Sequence, residues 1–368
     1  MDRLRNNRFL RIILAIASIF GAISLLLAYL APFVSPAAFP LLPLFGLAYP
    51  VIIVCFLVLI SIQLFFRKWW ALGMFVLVLL GGSIHSRTFT LGSGDDPNGA
   101  ETFKIMSYNV HLFDVYNENP TLAKSTRLKI IQFLEKESPD IVCFQEFYQK
   151  DRPTDFVTKD TIIPLLNYKD YQERYAYRRG GRENFGIAIF TRYPIIEKGE
   201  VNFNPNRQTS NYAIYSDLVI KSDTIRVYNA HLQSIHLQPE EKDVLVQEES
   251  KSSFLDALSK VKNAYPLRAA QALILVKHIQ NSPYPVVVCG DFNDTPMSFT
   301  YNQFSNILTD AFRNCETGIG KTYAGRIPAG RIDYIFHSES FGSTNFRIQK
   351  RALSDHFAIS SELFVKKK

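Results

Sequence analysis

Val286-Val287-Val288-Cys289-Gly290-Asp291-Phe292-Asn293 is the stretch that decides how the rest of the chain is read. A short apolar run, with Pro283 and Pro285 just upstream, reads as a buried strand. Gly290 is expected to let the backbone turn sharply where that strand ends. Asp291 and Asn293 then stand at the rim of a sheet, where a ligand can reach them. A carboxylate and an amide there can move a proton, hold a metal or hydrogen-bond an oxyanion. The plainer alternative is a polar turn after a core strand, because Asp and Asn favour turns in any case.

The same arrangement recurs along the chain. Phe103–Val110 alternates as a strand and delivers Asn109 to its end. Leu128, Ile131 and Leu134 carry helical spacing within Leu122–Glu137, and Pro139 closes that helix. Asp140–Glu146 is a second short apolar strand, with Glu146 as its expected last residue. Tyr212–Lys221 and Thr224–His231 read as a hairpin, and His231 again ends a strand. A lone His is more often structural than catalytic, but this one shares its position with Asn109, Glu146 and Asp291. Arg331–Phe336 alternates around Asp333. Asp355 and His356 precede a last strand, Phe357–Val365, and a His beside carboxylates is easily tuned as an acid or base.

Other segments are less telling. Tyr168–Tyr177 and Phe185–Thr191 read as neighbouring strands joined by Arg178-Arg179-Gly180-Gly181-Arg182. Arg178 and Arg182 there suit a phosphate clamp, since arginine binds phosphate oxygens in a bidentate way. A solvated hairpin tip is the alternative. Gln238–Ser253 is highly charged and reads as an exposed insertion leading into a helix over Phe254–Gln280, whose Arg268 and Gln271 are expected to tie it to the sheet. Cys143 and Cys289 lie in apolar runs and read as small buried hydrophobes. No cysteine spacing resembles a zinc site or a disulfide framework. Strands alternating with only two long helices predict two mixed sheets packed together, with helices outside.

The first quarter of the chain has a different composition. From Ile12 to Phe66 there is no Asp, Glu, Lys, Arg or His. That is too long for one membrane span of ~20 residues and fits two. Spans are expected near 10–30 and 44–66, broken by Pro32, Pro36, Pro40 and Pro43, with a short third near 69–85 after Trp69-Trp70. A cleaved signal peptide is a poor match, because the apolar core exceeds the usual ~7–15 residues and further runs follow. Residues 1–88 therefore read as a transmembrane region, 89–102 as a flexible Gly-containing linker, and 103–368 as a separate domain. The formal net charge is +7 and the pI about 9.1. Residues 1–87 hold seven Lys and Arg against one Asp, whereas the remainder holds 34 basic against 33 acidic residues. The basicity thus belongs to the membrane region. Arg3, Arg5, Arg8 and Arg11 before the first span and Arg67-Lys68 after the second mark the cytoplasmic side. If all three runs cross, the domain after Ser86 lies on the non-cytoplasmic, periplasmic or extracellular, side; a re-entrant third run puts it in the cytoplasm.

Six motifs now stand in order: Tyr-Asn-Val at Asn109, Gln-Glu at Glu146, Asn-Ala-His-Leu at His231, Gly-Asp-Phe-Asn at Asp291 and Asn293, Arg-Ile-Asp-Tyr-Ile at Asp333, and Ser-Asp-His at Asp355 and His356. Each alone is weak, but the ordered set over residues 103–365 resembles the endonuclease/exonuclease/phosphatase (deoxyribonuclease I-like) superfamily. The resemblance implies a four-layer α/β sandwich and a hydrolase of phosphoesters that depends on Mg²⁺ or sometimes Mn²⁺. It implies that Glu146 is the principal metal ligand, with Asn109 and Asp355 completing the metal site. Asp291 would orient or deprotonate the attacking water, and Asn293 would donate to the transferring phosphoryl group. His356, oriented by Asp333, would contact the phosphate, and His231 would contact it or help the leaving oxygen depart. Ala230 departs from the Thr that many members carry, without touching the chemistry. The substrate stays open. A nuclease acting on nucleic acid comes first; a phospholipid or sphingolipid phosphodiesterase, or a phosphoinositide-type phosphatase, held near its substrate by a lipid bilayer, is the alternative. A catalytically silent binding or sensor protein is a third, against which the full residue set argues. A nuclease would be expected to show a basic groove, and Arg178, Arg179, Arg182 and Arg207 are the local candidates.

Overall fold

The computed structural model describes residues 7–117, 119–154, 156–203, 211–235, 251–325 and 330–366. Arg207 and the 238–250 part of the charged insertion lie outside the described residues. The chain divides into two units: Met1–Phe89 with His236–Ala269 and Thr295–Asn302, and Thr90–Ile235 with Ala270–Asp294 and Gln303–Lys368.

In the first unit, α1 (Arg8–Leu30) and α2 (Leu42–Phe66) are 23 and 25 residues long and apolar enough to cross a membrane. At 1.5 Å per residue they reach roughly 35 Å and 38 Å, more than a bilayer's hydrocarbon core. Polar atoms inside such a pair need internal partners. The Gln63 side chain donates to Ser18 Oγ at 2.9 Å and to the Leu14 carbonyl at 3.2 Å, which ties α2 to α1. The third apolar run, expected near 69–85 as a short span or a re-entrant helix, is bent. It forms α3 (Lys68–Leu80) and α4 (Gly82–Thr88), bent by 65° at Gly81, so the unit holds two candidate spans, or three if the bent pair is one. The Tyr29 ring fills the space a side chain at Gly81 would need, 2.4 Å from where its Cβ would lie. His85 holds the bend, with Nε2 donating to the Val78 carbonyl at 2.8 Å and Nδ1 accepting from the Tyr49 hydroxyl.

The second unit contains two six-stranded mixed sheets. Along the chain come β1 (Thr90–Leu91), β2 (Phe103–Asn109), α5 (Pro120–Glu137), β3 (Ile141–Lys150), α6 (Thr158–Leu165), β4 (Asp170–Arg179), β5 (Glu183–Thr191), β6 (Ile195–Val201), β7 (Tyr212–Ile220) and β8 (Asp223–His231). Then follow α7 (Lys251–Gln280), β9 (Val286–Asp291), α8 (Phe299–Ser305), β10 (Thr309–Asp310), α9 (Ala311–Cys315), β11 (Thr317–Gly318), β12 (Asp333–His337), β13 (Phe341–Gln349) and β14 (Ala358–Val365). The first sheet runs β13-β14-β2-β3-β5-β4 and the second β10-β12-β9-β8-β7-β6. The parallel pairs, β2 with β3 and β8 with β9, lie inside their sheets. Parallel neighbours need a long crossover, and among the described residues α5 and α7 lie in those two connections. Asn119 starts α5 by accepting from the Thr121 amide at 3.0 Å, and Ser138 ends it at a φ of 48°.

The layers follow from what each face buries. α5 and α6 cover the first sheet through an aromatic core that includes Tyr108, Phe133, Phe144, Phe147 and Phe190. On the second sheet His278 of α7 meets the Tyr228 hydroxyl at 2.9 Å. Between the sheets sits a polar staple. Asn229 of β8 donates to the carbonyls of Phe144 (2.8 Å) and Ala188 (2.9 Å) on the first sheet, and Gln145 Nε2 donates back to Asn229 Oδ1 at 2.6 Å. Both side chains are fully buried. A buried polar group left unpaired costs ~1–3 kcal/mol, so a slip of one sheet over the other breaks several bonds at once. This is the four-layer α/β sandwich expected from the sequence.

Three local expectations are corrected. β3 does not stop at Glu146; it continues to Lys150 and bulges between Phe144 and Phe147. Gly290 does not turn the chain. It sits inside β9, paired with Ala230 and Tyr334, and a Cβ there would lie 2.0 Å from the Ala230 carbonyl oxygen. Gly is needed for the close approach of β8. Finally, the start of the 89–102 segment is not a free linker. β1 pairs with β11, the Gly94 amide donates to the Asn314 carbonyl at 2.8 Å, and the Asp95 carboxylate accepts from the Ser343 amide at 3.0 Å.

Candidate active site

Four strand positions at one end of the sandwich supply the centre. Asn109 ends β2, His231 ends β8 and Asp291 ends β9, while Asp333 opens the antiparallel strand β12. Register sets them side by side: Asp291 pairs with His231 on one flank and with Asp333 on the other. On the facing sheet Asn109 pairs with Gln145, and the bulge turns the next residue, Glu146, out of the ladder at a φ of 51°. Positive φ is uncommon outside Gly, and bulges often re-aim side chains beside active sites. Gln145 is thereby spent on the staple between sheets and Glu146 on the site.

The side chains converge. Asn109 Nδ2 donates to Asp291 Oδ2 at 3.0 Å and lies 3.4 Å from Glu146 Oε1. His231 Nε2 stands 3.8 Å from Asp291 Oδ2 and 3.9 Å from Glu146 Oε1. His356 donates from Nδ1 to Asp333, 2.9 Å from Oδ2, and points Nε2 to within 3.6 Å of Asp291 Oδ2. Asp291 and Asp333 are buried, whereas the Glu146 side chain is 32% exposed, so the site opens on the Glu146 side.

Charges are coupled across this cluster. Burial raises the Asp291 pKa; the cationic ring of His356 opposes that rise and the Asp333 carboxylate adds to it. Burial alone would lower His356, but Asp333 and Asp291 outweigh it and push its pKa up to about 10. His356 is therefore an imidazolium at neutral pH, with both ring nitrogens as donors.

The remaining expected residues sit as follows. The Asn293 amide donates from its backbone to Asp291 Oδ1 at 2.8 Å, and its side chain donates to the Leu232 carbonyl at 3.1 Å. Asn293, at a φ of 54°, makes the turn that Gly290 was expected to make. Asp355 is reached through Ser354, whose hydroxyl donates to the Asn109 carbonyl at 2.8 Å and lies 3.4 Å from Asp355 Oδ1. Arg178 pairs with the Asp151 carboxylate, and Arg182 donates to the carbonyls of Asp151 and Pro153. Neither arginine is joined to the cluster by any contact among the described residues.

Sequence reasoning passed over Ser354 and Tyr323. The Tyr323 ring meets the His356 ring edge-on at 5.2 Å, and the two residues form a β-bridge. No local pattern around Tyr323 announces this, because its partner lies 33 positions away. Ser354 had a signal, since Ser beside Asp-His is a common backbone tie.

A divalent cation fits this donor set. Hard cations take carboxylate and amide oxygens; Glu146 and Asp291 offer carboxylate oxygens on either side of the Asn109 Nδ2, while the Asn109 Oδ1 accepts from the His111 amide at 3.0 Å. Among the described residues the buried His231 Nε2 has no hydrogen-bond partner, although it faces two carboxylates. Asp291, Asp333 and His356 also place one ligand-type atom each within 4.8 Å of one another. In that second grouping the His356 Nδ1 is already bonded to the Asp333 carboxylate.

A sandwich of two mixed sheets that gathers carboxylates, an amide and two imidazoles at the ends of its inner strands defines a class of protein. The chain belongs to the Endonuclease/Exonuclease/phosphatase family, whose model matches residues 106–356. Residues 10–88 match a domain of unknown function (DUF8431). Over 356 aligned residues the chain is 25% identical to the CCR4-Not complex 3'-5'-exoribonuclease subunit Ccr4 of Mycosarcoma maydis, covering 73% of this chain and 51% of that protein. It is 27% identical over 240 residues to Carbon catabolite repressor protein 4 homolog 1 of Arabidopsis thaliana, covering 56% of this chain and 38% of that protein. The chain thus spans about half or less of these relatives' length. Two solved structures share the fold at a TM-score of 0.50 and 18% identity. An endonuclease/exonuclease/phosphatase family protein from Bacteroides thetaiotaomicron is matched over 73% of this chain and 99% of that one. The human Nocturnin catalytic domain, solved with a bound sulfate anion, is matched over 72% and 95%.

Proposed function

We propose that this chain is a membrane-anchored, divalent-metal-dependent phosphodiesterase of nuclease type. One observation carries the proposal: Asn109, His231 and His356 each come within hydrogen-bonding or ion-pair reach of Asp291, Asn109 and His231 also reach Glu146, and His356 is held by Asp333, so that both sheets contribute to one linked cluster. The exoribonuclease name of the Ccr4 relative supports a nucleic-acid substrate over a lipid.

Glu146 and Asn109, with Asp355 nearby, would hold Mg²⁺ or Mn²⁺. When bound, such a cation neutralises phosphate charge and stabilises the departing oxygen. The chain's own groups do the rest. Asn109 fixes the Asp291 carboxylate by donating to Oδ2, so that a water approaching phosphorus finds an oriented acceptor for its proton. Burial moves the Asp291 pKa toward the operating range that a general base needs. Asp333 orients His356 through Nδ1, which leaves the Nε2 proton aimed into the centre as a donor to a phosphoryl oxygen. His231 in its Nε2-protonated form supplies a second donor on the opposite flank of Asp291. Asn293 holds the Asp291 loop; to reach a phosphoryl oxygen its amide would leave the Leu232 carbonyl. Arg178 and Arg182 would act on phosphate only after leaving Asp151 and Pro153.

The two apolar helices favour one further reading, in which a phospholipid or phosphoinositide in the bilayer is the substrate. By the excess of Lys and Arg, the basic residues at the start of α1 and the end of α2 would share the cytoplasmic side, and an α3–α4 pair that crosses would put the catalytic unit on the other. The test is to incubate the detergent-purified full chain and Mg²⁺ with single-stranded RNA, plasmid DNA, sphingomyelin and phosphoinositides in parallel. Cleavage of nucleic acid is expected; cleavage of lipid alone overturns the nuclease assignment.

A further inference from the structure

A second site candidate lies at the β4–β5 hairpin. Val115, Tyr116, Lys150, Arg179, Gly180, Arg182 and Glu183 line a cleft of about 480 Å³ there, with three basic side chains against one carboxylate. Tyr116 is 59% exposed, and its ring lies parallel to that of Phe185, 6.0 Å between centroids and 9° between planes. Tyr177, 55% exposed, also packs on Phe185, 5.8 Å between centroids. Phe185 is itself anchored on Tyr148 at 5.2 Å. Arg179 lines the same cleft as Tyr116, which sets a positive charge beside the ring. Lys150, paired with Glu183 at 3.2 Å, sits on the same strand as Glu146, four residues further on. At ~3.3 Å per strand residue that is about 13 Å along the strand from Glu146, the rise of roughly four stacked bases at ~3.4 Å each.

We propose that Tyr116 and Arg179 form a stacking subsite for an unpaired nucleotide of a single-stranded nucleic acid whose backbone runs into the Asp291 centre. An open aromatic face that already continues a parallel stack accepts a base, and arginine at its edge meets the adjoining phosphate. A phospholipid headgroup offers no flat ring to such a face. The subsite rests on the nuclease assignment above and gives it a strand preference. Paired bases are closed to this mode of recognition, so single strands bind more tightly than duplexes.

The test uses the full chain in detergent, in EDTA, and a fluorescein-labelled twelve-nucleotide uridine RNA followed by anisotropy. Tyr116→Ala is expected to weaken binding about 5- to 150-fold, the range that follows from the loss of one base stack, while Tyr116→Phe binds as the parent does. Arg179→Gln is expected to weaken binding and flatten its salt dependence. Hydrolysis of bis(p-nitrophenyl) phosphate with Mg²⁺ is expected to be unchanged in all three variants, which also shows that they fold. Equal binding by Tyr116→Ala and the parent, equal loss in Tyr116→Phe, or duplex bound as tightly as single strand overturns the subsite. Failure of the parent to hydrolyse bis(p-nitrophenyl) phosphate while these binding differences persist overturns the catalytic assignment instead.

Discussion

Asn109 and Asp291 come from different sheets, 182 residues apart, and are joined by a hydrogen bond of 3.0 Å. The bond spans the two halves of the sandwich at the point where the chemistry is placed. Closure of the sandwich and orientation of the candidate base are therefore one event, and Asn109→Ala is expected to lower turnover while leaving the fold in place.

Asp291 and Glu146 carry the sharpest expectation. Replacing Asp291 by Ala, or Glu146 by Gln, should lower phosphodiester hydrolysis by at least ~10²-fold, the usual cost of one such group. Asp333→Asn should cost less, since it leaves His356 in place but loosens its orientation. Single-turnover rates on a labelled oligonucleotide check all three, and a fully active Asp291→Ala protein removes the mechanism.

Metal removal gives a second check. Dialysis against EDTA should abolish hydrolysis, and Mg²⁺ or Mn²⁺ should restore it in the parent. In Glu146→Gln the metal concentration for half-maximal activity should rise at least tenfold, whereas Asp333→Asn should leave it unchanged. An EDTA-treated protein that keeps full activity would contradict the cation's role.

Gly290 tests the fold under the site. A Cβ there meets the Ala230 carbonyl at 2.0 Å, so Gly290→Ala must force β8 and β9 apart. Overpacking of this kind costs ~1–3 kcal/mol, and thermal unfolding should show it as a lowered midpoint. Because His231 and Asp291 end those two strands, activity should fall with it. A variant as stable as the parent would show that the strands yield without strain.

His337 predicts a pH effect on stability. It is buried, its Nδ1 bonds the Ser338 carbonyl, and burial depresses its pKa below the usual 6.5, with the Ser338 bond partly opposing. Between the folded and unfolded pKa values the unfolded chain binds the proton and the folded chain does not. The contribution is therefore complete above about pH 6.5 and is lost as pH falls through the folded value. The unfolding midpoint at pH 5 should fall further below its pH 7.5 value in the parent than in His337→Leu.

Membrane orientation is open to a direct experiment. An alkaline phosphatase fused after Ser93 is active only outside the cytoplasm. Activity is expected if the α3–α4 pair crosses, and an inactive fusion makes that pair re-entrant.

Much of this was legible in the chain itself, for a physical reason. Strand ends announce themselves locally, by apolar runs that stop at Asn, Asp, Gly or His, and Asn109, His231 and Asp291 all stand at such ends. What stayed hidden depends on partners far away. The need for Gly at 290 comes from Ala230, on another strand. Tyr323 meets His356 only because two loops form a bridge. The bend at Gly81 reflects the Tyr29 ring, which no window of sequence around residue 81 contains. The Gly92–Gly99 stretch looks free by composition, yet its first residues are held by Asn314 and Ser343.

The kink in β3 has a consequence for how this gene can change. Phe144 and Phe147 are three positions apart, an odd interval that would put them on opposite faces of a regular strand. Their rings nevertheless stack in one core at 5.6 Å. The extra residue acts as a phase shift, after which inward and outward positions trade places. Losing one codon at 145 or 146 would leave Phe144 and Phe147 two positions apart, still on one face of a now regular strand, so the core would survive while the site lost the outward step that frees Glu146 from the ladder.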